Sequence, residues 1–253
     1  MPRPLSELCA AIEAVLDESR RVSRDAALPL ARRLAAHMPW VHRTGGHGAT
    51  ASEILAAGAL IRPPAASASE QALGIEPAVY SFLGAGAYPS GWLAVLHAPP
   101  SATYPDVFTA FDSGSVHRPF LRRAADPRWS ELPERVRFLR AHEGSGEGVG
   151  EYAAQFIAAH FIDPLDYVRR LRGTPDHPTH HGLSDATDDR RAWTIEARCH
   201  VPVELGSCTF VAREDRLLDL PTDVLARTEP APDAGTDDPV AATIARILED
   251  RVR

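Results

Sequence analysis

The sequence predicts an α+β fold with one main core, N-terminal helices and further helices inserted between strands. Three observations predict it. Residues 1–36 carry leucine and other apolar residues at helical spacing, short β-prone runs lie at 78–83, 92–96 and 192–205, and helical periodicity occupies 131–172 between them. With 253 residues and 44% hydrophobic composition, the chain is long enough to bury such a core without disulfides.

The predicted elements begin with two helices in residues 1–37, which we expect to pack as a brace. Residues 40–44 are short and β-prone, which predicts the first strand. Thr50 and Glu53 then form a capping-box pattern at the start of a helix, and Gly58 provides a stop because glycine readily adopts the left-handed conformation found at helix ends. The predicted order is therefore helices, strand, loop and short helix.

The rest of the chain alternates loops, strands and helices before a final helix. The predicted elements are a surface loop at 62–77, strands at 78–83 and 92–96 joined by a loop at 84–91, helices at 131–142, 148–162 and 164–172, a loop at 173–190, strands at 192–205 and 216–220, a linker at 228–237 and a helix from Asp238. We therefore divide the chain into a helical brace at 1–37, a main domain at 38–227, and a linker with a C-terminal helix at 228–253.

Composition excludes several chemistries. The chain has no lysine, which rules out Walker-type phosphate binding and lysine Schiff bases, and no asparagine, which rules out a Cys-His-Asn triad. The net charge of -7 argues against a broad surface for nucleic-acid phosphates. The three cysteines lack C-x-x-C spacing, so neither a disulfide framework nor a cysteine zinc site is predicted. The N-terminus lacks an apolar signal segment, so we expect a cytoplasmic protein without a membrane span.

Three polar residues fall on separate predicted strands in the order His42, Tyr80 and Glu196. They lie in the stretches Val-His-Arg-Thr, Val-Tyr-Ser-Phe and Trp-Thr-Ile-Glu-Ala-Arg. Over residues 38–222 this order resembles the His-Tyr-Glu branch of the ADP-ribosyltransferase superfamily, which is the PARP-like and diphtheria-toxin-like branch. The resemblance implies a split, mixed or antiparallel sheet as the core, NAD⁺ as a substrate, and transfer of ADP-ribose with release of nicotinamide.

The chemistry of this reaction requires a carboxylate. Cleavage of the bond between nicotinamide and ribose builds positive charge on the sugar, as glycoside cleavage does, so a carboxylate near the ribose 2′-hydroxyl stabilises the transition state. An aromatic face and a backbone amide can orient the leaving nicotinamide. The resemblance assigns the catalytic role to Glu196.

The resemblance assigns the other matching residues to NAD⁺ binding. Tyr80 is expected to stack on the nicotinamide ring, with Tyr88 as a second ring, and the backbone of Arg43 to bind the nicotinamide carboxamide. His42 is expected to hydrogen-bond the adenosine ribose, and Thr44 to help hold the pocket. No residue is assigned to a metal.

Two departures from the family pattern bear on the substrates. Arg43 stands where the family usually has glycine, so its long side chain must turn away from the dinucleotide. Thr194 stands two residues before Glu196, where arginine-modifying members carry an acid, so arginine is disfavoured as the acceptor. The acidic balance favours a protein or small-molecule acceptor over nucleic acid. Proteins of this general type include bacterial toxins and phage-defence effectors, which is the role we expect.

Two other interpretations stay open. The first is a binding module that keeps the fold without the activity. The second is a metal-dependent hydrolase, because His177, His180 and His181 lie within five residues and histidine clusters bind zinc. Within the enzyme interpretation, simple hydrolysis of NAD⁺ is an alternative to transfer.

Asp112 follows a short apolar run beside a small-residue turn, and it is predicted either to cap a helix or to line the site.

Overall fold

The computed structural model describes residues 3–18, 24–45, 48–84, 91–98, 106–117, 131–146, 148–161, 164–171, 193–232 and 238–252. In these ranges, an eight-stranded and mostly antiparallel sheet packs with several helices around one hydrophobic core. This arrangement confirms the predicted α+β class.

The helices and strands of the described residues have the following bounds. The helices are α1 (Leu5–Glu18), α2 (Arg24–His37), α3 (Ala51–Ala57), α4 (Ala68–Ala72), α5 (Leu132–His142), α6 (Val149–His160), α7 (Pro164–Leu171), α8 (Thr222–Leu225) and α9 (Pro239–Val252). The strands are β1 (Trp40–Arg43), β2 (Ala59–Leu60), β3 (Val79–Leu83), β4 (Leu93–His97), β5 (Val107–Thr109), β6 (Gly144–Ser145), β7 (Glu196–Cys199), β8 (Val203–Glu204), β9 (Thr209–Arg213) and β10 (Thr228–Ala231).

The order of strands in the large sheet is β10-β9-β4-β1-β3-β7-β5-β6, and β2 pairs with β8 in a separate two-stranded sheet. Neighbouring strands are antiparallel except β9 and β10, which are parallel. The strands that carry His42, Tyr80 and Glu196 are therefore adjacent, in the order β1, β3 and β7. Long-range pairing brings together three segments that are far apart in the chain.

Helices cover both faces of the sheet. The Phe108 ring of β5 contacts the Tyr152 ring of α6, with 4.8 Å between the ring centroids. We call the side toward which Phe108 points the α6 face; α1 and α2 pack against α6, and α9 packs against α2 and α7. The opposite side, toward which Arg198 points to reach Glu143 at the end of α5, is the α5 face. A 3₁₀-helix, Ser113–His117, packs there with α4 and α5.

Local capping signals account for the boundaries of the short helix α3. The Thr50 side chain accepts a hydrogen bond from the Glu53 backbone, and the Glu53 carboxylate accepts one from the Thr50 backbone. At the other end Gly58 adopts φ +66°, where a residue with a Cβ would be strained. The predicted capping box and glycine stop are both confirmed.

No helix in the described part of the chain combines the length and apolar character needed to cross a membrane.

Two predicted elements are wrong. The strand predicted at 216–220 is a 3₁₀-helix, Glu214–Asp219, in which Leu218 is 98% exposed, so its leucines do not mark a buried strand. The linker predicted from residue 228 instead begins with strand β10, which pairs with β9. Pro230 is compatible with β10 because this strand lies at the edge of the sheet, where one side needs no hydrogen-bond donors.

Other elements lie in a predicted loop or in segments to which no element was assigned. Helix α4 falls inside the predicted loop at 62–77 and begins at a second capping box, formed by Ser67 and Glu70. Strands β5 and β6 are three and two residues long, too short for a periodic pattern. Strand β9 has β-prone residues that the sequence analysis did not assign. Strands β5 and β6 extend the sheet beyond β7, and β9 extends it beyond β4.

Candidate active site

Strand register places Tyr80 and Glu196 on the same face of the sheet. Glu196 pairs with Phe82 of β3 and with Thr109 of β5, and the side chains of directly paired residues point to the same side. Tyr80 lies two residues from Phe82 and pairs with Arg198, so it is a diagonal neighbour of Glu196. Such positions are about 7–8 Å apart, which long side chains can bridge. Both side chains project from the α5 face.

The carboxylate of Glu196 is buried and accepts two hydrogen bonds from Ser113. Its side chain comes from the first residue of β7 and is 1% exposed. The Ser113 hydroxyl donates to Oε1 at 2.5 Å, and the Ser113 backbone N–H donates to Oε2 at 3.1 Å. Each carboxylate oxygen therefore has its own donor, which restricts rotation of the side chain.

The loop after β5 is shaped to present these donors. The Thr109 hydroxyl donates to the Phe111 carbonyl at 2.6 Å, and the Asp112 Oδ1 accepts from the Gly114 backbone at 3.1 Å. The sequence predicted that Asp112 would either cap a helix or line the site. Asp112 caps the 3₁₀-helix that starts at Ser113, and its negative charge raises the pKa of Glu196.

The protonation of Glu196 depends on several opposing influences. Burial raises its pKa well above the ordinary value, and the negative charge of Asp112 raises the pKa further. The positive charge of Arg198 and the two hydrogen bonds from Ser113 act in the opposite direction. A cation placed beside Glu196 would favour the ionised carboxylate in the same way as Arg198 does.

Tyr80 lies between two acidic side chains. Burial raises the pKa of its hydroxyl, and nearby Glu196 and Glu70 raise the pKa further. The hydroxyl approaches Glu70 but meets no group of the described residues in ordinary hydrogen-bond geometry. Glu70 itself belongs to the capping box of α4, so this helix covers Tyr80 on the α5 face.

Arg198 connects Glu196 to a second buried acid. Its Nη2 donates to Glu143 at 2.6 Å, and its Nε lies 3.5 Å from Oε1 of Glu196. Glu143 is 1% exposed and also accepts from Arg140, which in turn donates to the carbonyls of Leu73 and Gly74 behind α4. The network joins the carboxylate of Glu196 to the two helices that cover it.

His42 does not project toward this cluster. It pairs with Val95 and shares the α6 face with the neighbouring positions Trp40 and His97, since alternate residues of a strand point to opposite sides. Its Nδ1 lies 2.6 Å from the Tyr80 carbonyl, at the point where the pairing of β1 with β3 ends. Its Nε2 is buried and meets no hydrogen-bond partner among the residues that the structure describes, and burial lowers the pKa of the imidazole. The structure thus brings Tyr80 and Glu196 together but leaves His42 on the other side of the sheet.

Arg43 is tied to the start of the C-terminal helix. Its Nη1 donates to both carboxylate oxygens of Asp238, and its Nη2 donates to the Gly91 carbonyl at 3.2 Å. Both side chains of this ion pair are less than one-tenth exposed. Asp238 also accepts from the backbone of Ala241, so it caps α9. The long side chain at position 43 is engaged in a structural contact.

Thr44 is also engaged in packing between strands. Its hydroxyl donates to the Leu93 carbonyl at 2.9 Å. Gly91, at φ +84°, passes so close to Thr44 that a Cβ at position 91 would lie 1.8 Å from the Thr44 carbonyl oxygen. These contacts fix the end of β1 against the start of β4.

Several predicted residues lie outside the described ranges. Tyr88, the predicted second ring, is one of them, and His177, His180 and His181 are the others. The described residues contain no group of three His, Cys, Asp or Glu side chains arranged to hold a metal ion.

The sequence analysis missed three residues that surround Glu196. Ser113 lies 83 residues before Glu196, and Glu143 lies 55 residues before Arg198, so no local spacing reveals these contacts. The alternation of β7 could have identified Arg198, because it lies two residues after Glu196 on the same face. For Ser113, the available signal was its position directly after Asp112.

Acidification should destabilise the protein partly through His97. This residue is 2% exposed, its Nε2 is 2.9 Å from the Ser81 hydroxyl, and burial lowers its pKa from 6.5 to about 4. A histidine with a lowered folded-state pKa contributes stability that is fully present above pH 6.5 and is lost as the pH falls toward 4. The loss should reach about 3 kcal/mol at most.

Urea unfolding of the wild type and of His97→Gln at several pH values measures this effect. The pH dependence of the wild-type stability combines several groups, since the lowered pKa of His42 acts in the same direction as that of His97 and the raised pKa of Glu196 acts in the opposite direction. The difference in stability between the two proteins isolates the contribution of His97. We expect the advantage of the wild type to shrink between pH 7 and pH 4.5. An advantage that stays constant over this interval would show that His97 is not held neutral.

Comparison of the chain with family models, with curated proteins and with solved structures finds no match.

Proposed function

We propose that this chain is an ADP-ribosyltransferase-like enzyme that cleaves NAD⁺ between nicotinamide and ribose, with Glu196 as the catalytic carboxylate. One observation carries the proposal. A buried carboxylate, fixed by donors to both of its oxygens, lies beside an aromatic side chain on the same face of the sheet. The order of strand residues that resembles the ADP-ribosyltransferase superfamily supports the same function.

The proposed reaction uses Glu196 to stabilise positive charge. As the bond between C1′ and the nicotinamide nitrogen breaks, its electron pair stays on that nitrogen and neutral nicotinamide leaves. The ribose then resembles an oxocarbenium ion, and a carboxylate close to the 2′-hydroxyl lowers its energy. C1′ forms a new bond to a nucleophilic atom of water or of an acceptor, which loses a proton. The ring of Tyr80 would stack on the nicotinamide.

The electrostatics of the α5 face suit a cationic ring. Asp112, Glu143 and Glu196 are buried acids, and Arg198 is the basic group that bridges the last two. The positively charged nicotinamide ring of NAD⁺ would favour the ionised form of Glu196, whose pKa burial otherwise raises. Binding of the substrate would therefore prepare the carboxylate that the reaction needs.

The contacts of Arg43 and His42 bear on the roles proposed for these two residues of β1. Arg43 is held by Asp238 and Gly91, which is compatible with the expectation that its side chain turns away from the dinucleotide. His42 projects from the α6 face, so a contact with the adenosine ribose would have to form where β1 and β3 separate. The proposal therefore depends on Tyr80 and Glu196 rather than on His42.

Incubation of the purified chain with NAD⁺ tests the proposal. Chromatography should detect release of nicotinamide, and release should depend on the chain concentration. Mass spectrometry after incubation with labelled NAD⁺ and cell lysate then separates two outcomes. A mass increase on a protein or a small molecule indicates transfer, whereas free ADP-ribose alone indicates hydrolysis. Absence of nicotinamide release with and without lysate would contradict the proposal.

A catalytically silent binding module is the second candidate. The observation that favours it is the burial of Glu196, since a side chain that is 1% exposed meets substrate only when the residues that cover it move. When no nicotinamide is released, calorimetric titration with NAD⁺ tests the binding module. Binding without turnover would support the module.

A further inference from the structure

We propose that Ser113 is a positioning residue that holds the carboxylate of Glu196 in one orientation for the reaction; this inference rests on the proposed function. Ser113 is fully buried and does not belong to the three residues that carry the family resemblance. It contacts the catalytic carboxylate itself, through both its hydroxyl and its backbone N–H.

The geometry of the contact carries the inference. One residue supplies donors to both oxygens, at 2.5 Å for the hydroxyl and 3.1 Å for the backbone N–H. Two donors from one rigid residue define the plane of the carboxylate as well as its position, whereas a single donor would leave it free to rotate about the hydrogen bond. Orientation matters because a displacement of about 1 Å at a reacting group can cost about a hundredfold in rate.

The surrounding loop gives Ser113 a fixed position. On one side, Thr109 is paired with Glu196 in the sheet, and its hydroxyl anchors the Phe111 carbonyl. The Phe111 ring stacks against Phe138 of α5, with centroids 5.4 Å apart. On the other side, Asp112 binds the Gly114 backbone. The donors are therefore held independently of Glu196, as positioning requires.

Charged and titratable groups from several elements surround this carboxylate or contact its neighbours. Asp112, from the loop after β5, raises the pKa of Glu196, and Arg198 of β7 lowers it. The hydrogen bonds of Ser113 also lower this pKa. Tyr80 of β3 lies near both Glu196 and Glu70 of α4, and Glu143, after α5, binds Arg198. Loss of the Ser113 hydroxyl removes one of the influences that favour the ionised carboxylate.

Loss of the Ser113 hydroxyl should move the pH dependence of the reaction to higher pH. Since a hydrogen bond to the charged form favours that form, Ser113→Ala should raise the pKa of Glu196. The acid limb of the plot of kcat/KM against pH should then move to higher pH. A serine with a merely structural role would lower Tm and leave this limb in place.

Three variants make the test specific. Ser113→Ala removes the hydroxyl, and Ser113→Thr keeps it. Ser81→Ala is the matched control, since Ser81 is also fully buried with a hydroxyl hydrogen bond, to His97 on the α6 face. We expect kcat/KM for nicotinamide release to fall about tenfold to a hundredfold in Ser113→Ala. Ser113→Thr should recover most of the loss, and Ser81→Ala should lower Tm without a shift in the pH profile.

A titration that needs no activity accompanies the kinetics. The carboxyl carbon of Glu196 is followed by NMR in protein labelled at glutamate, and it is assigned by the signal that disappears in Glu196→Gln. We expect the carboxyl to titrate at higher pH in Ser113→Ala than in the wild type and in Ser81→Ala. Equal titration in all three proteins, or an unshifted pH profile in an active Ser113→Ala, overturns the inference.

The two proposals fail in different ways. If the wild type releases nicotinamide and Ser113→Ala behaves as Ser81→Ala does, the role of Ser113 is overturned and the proposed function stands. If the carboxyl titration shifts as expected but the wild type releases no nicotinamide, the proposed function is overturned, and with it any part of Ser113 in a reaction.

Discussion

Glu196→Gln should lower the rate of nicotinamide release by about a hundredfold to a thousandfold, the usual cost of removing a group that stabilises transition-state charge. The neutral amide cannot compensate the positive charge that develops on the ribose. The Tm should change little, because burying a carboxylate is itself costly and the amide oxygen can still accept a hydrogen bond from Ser113. Nicotinamide release and thermal unfolding of the same preparation measure both effects.

A second Glu→Gln substitution, at a position away from the candidate site, controls for the general effect of removing a carboxylate. Glu151→Gln removes an acid on α6, on the other face of the sheet, and should leave nicotinamide release unchanged. If Glu196→Gln retains the wild-type rate while remaining folded, the assignment of the catalytic carboxylate is wrong.

Arg198→Met should reduce the free energy of unfolding by about 3–5 kcal/mol, the range for removing one partner of a buried ion pair. Arg198 is 4% exposed and lies between Glu143 and Glu196, which are both 1% exposed. Methionine fills much of the volume, so the effect would come from the loss of the positive charge between two buried acids rather than from a cavity. Urea unfolding at neutral pH measures the change.

The pH dependence distinguishes this cause from simple loss of packing. The destabilisation caused by Arg198→Met should diminish as the pH falls, because protonation of Glu196, whose pKa is raised by burial and by Asp112, removes a negative charge that Arg198 otherwise compensates. Arg32→Met is the control, since the pair between Arg32 and Glu151 is exposed and contributes far less. A destabilisation by Arg198→Met that is the same at low and neutral pH would contradict the electrostatic explanation.

The fold was predictable where local signals decide the structure. Thr50, Glu53 and Gly58 define α3 through interactions within ten residues, and Asp238 marks the start of α9 for the same reason. The predictions from the sequence were wrong where long-range strand pairing decides the secondary structure. Strand β10 forms because β9 is available as a partner, and the leucines of the 3₁₀-helix Glu214–Asp219 resemble a strand but do not form one.

The candidate site was predictable only in part. The sequence predicted Tyr80 and Glu196 on separate strands; the observed topology makes these strands neighbours, and the register places both side chains on the α5 face. The face toward which His42 points depends on the register of β1, because a shift of one residue moves every side chain of a strand to the opposite face. The sequence alone does not define this register. Ser113 and Glu143 reach the site through tertiary packing, so spacing along the chain carries no record of their roles.

A crystal structure of the Glu196→Gln variant with NAD⁺ shows whether the dinucleotide binds beside position 196, because the slowed reaction preserves the bound substrate. We expect the nicotinamide ring to lie against Tyr80 and the side chain at position 196 to be within hydrogen-bond distance of the ribose 2′-hydroxyl. NAD⁺ bound on the α6 face, or bound with its ribose away from position 196, would contradict this expectation.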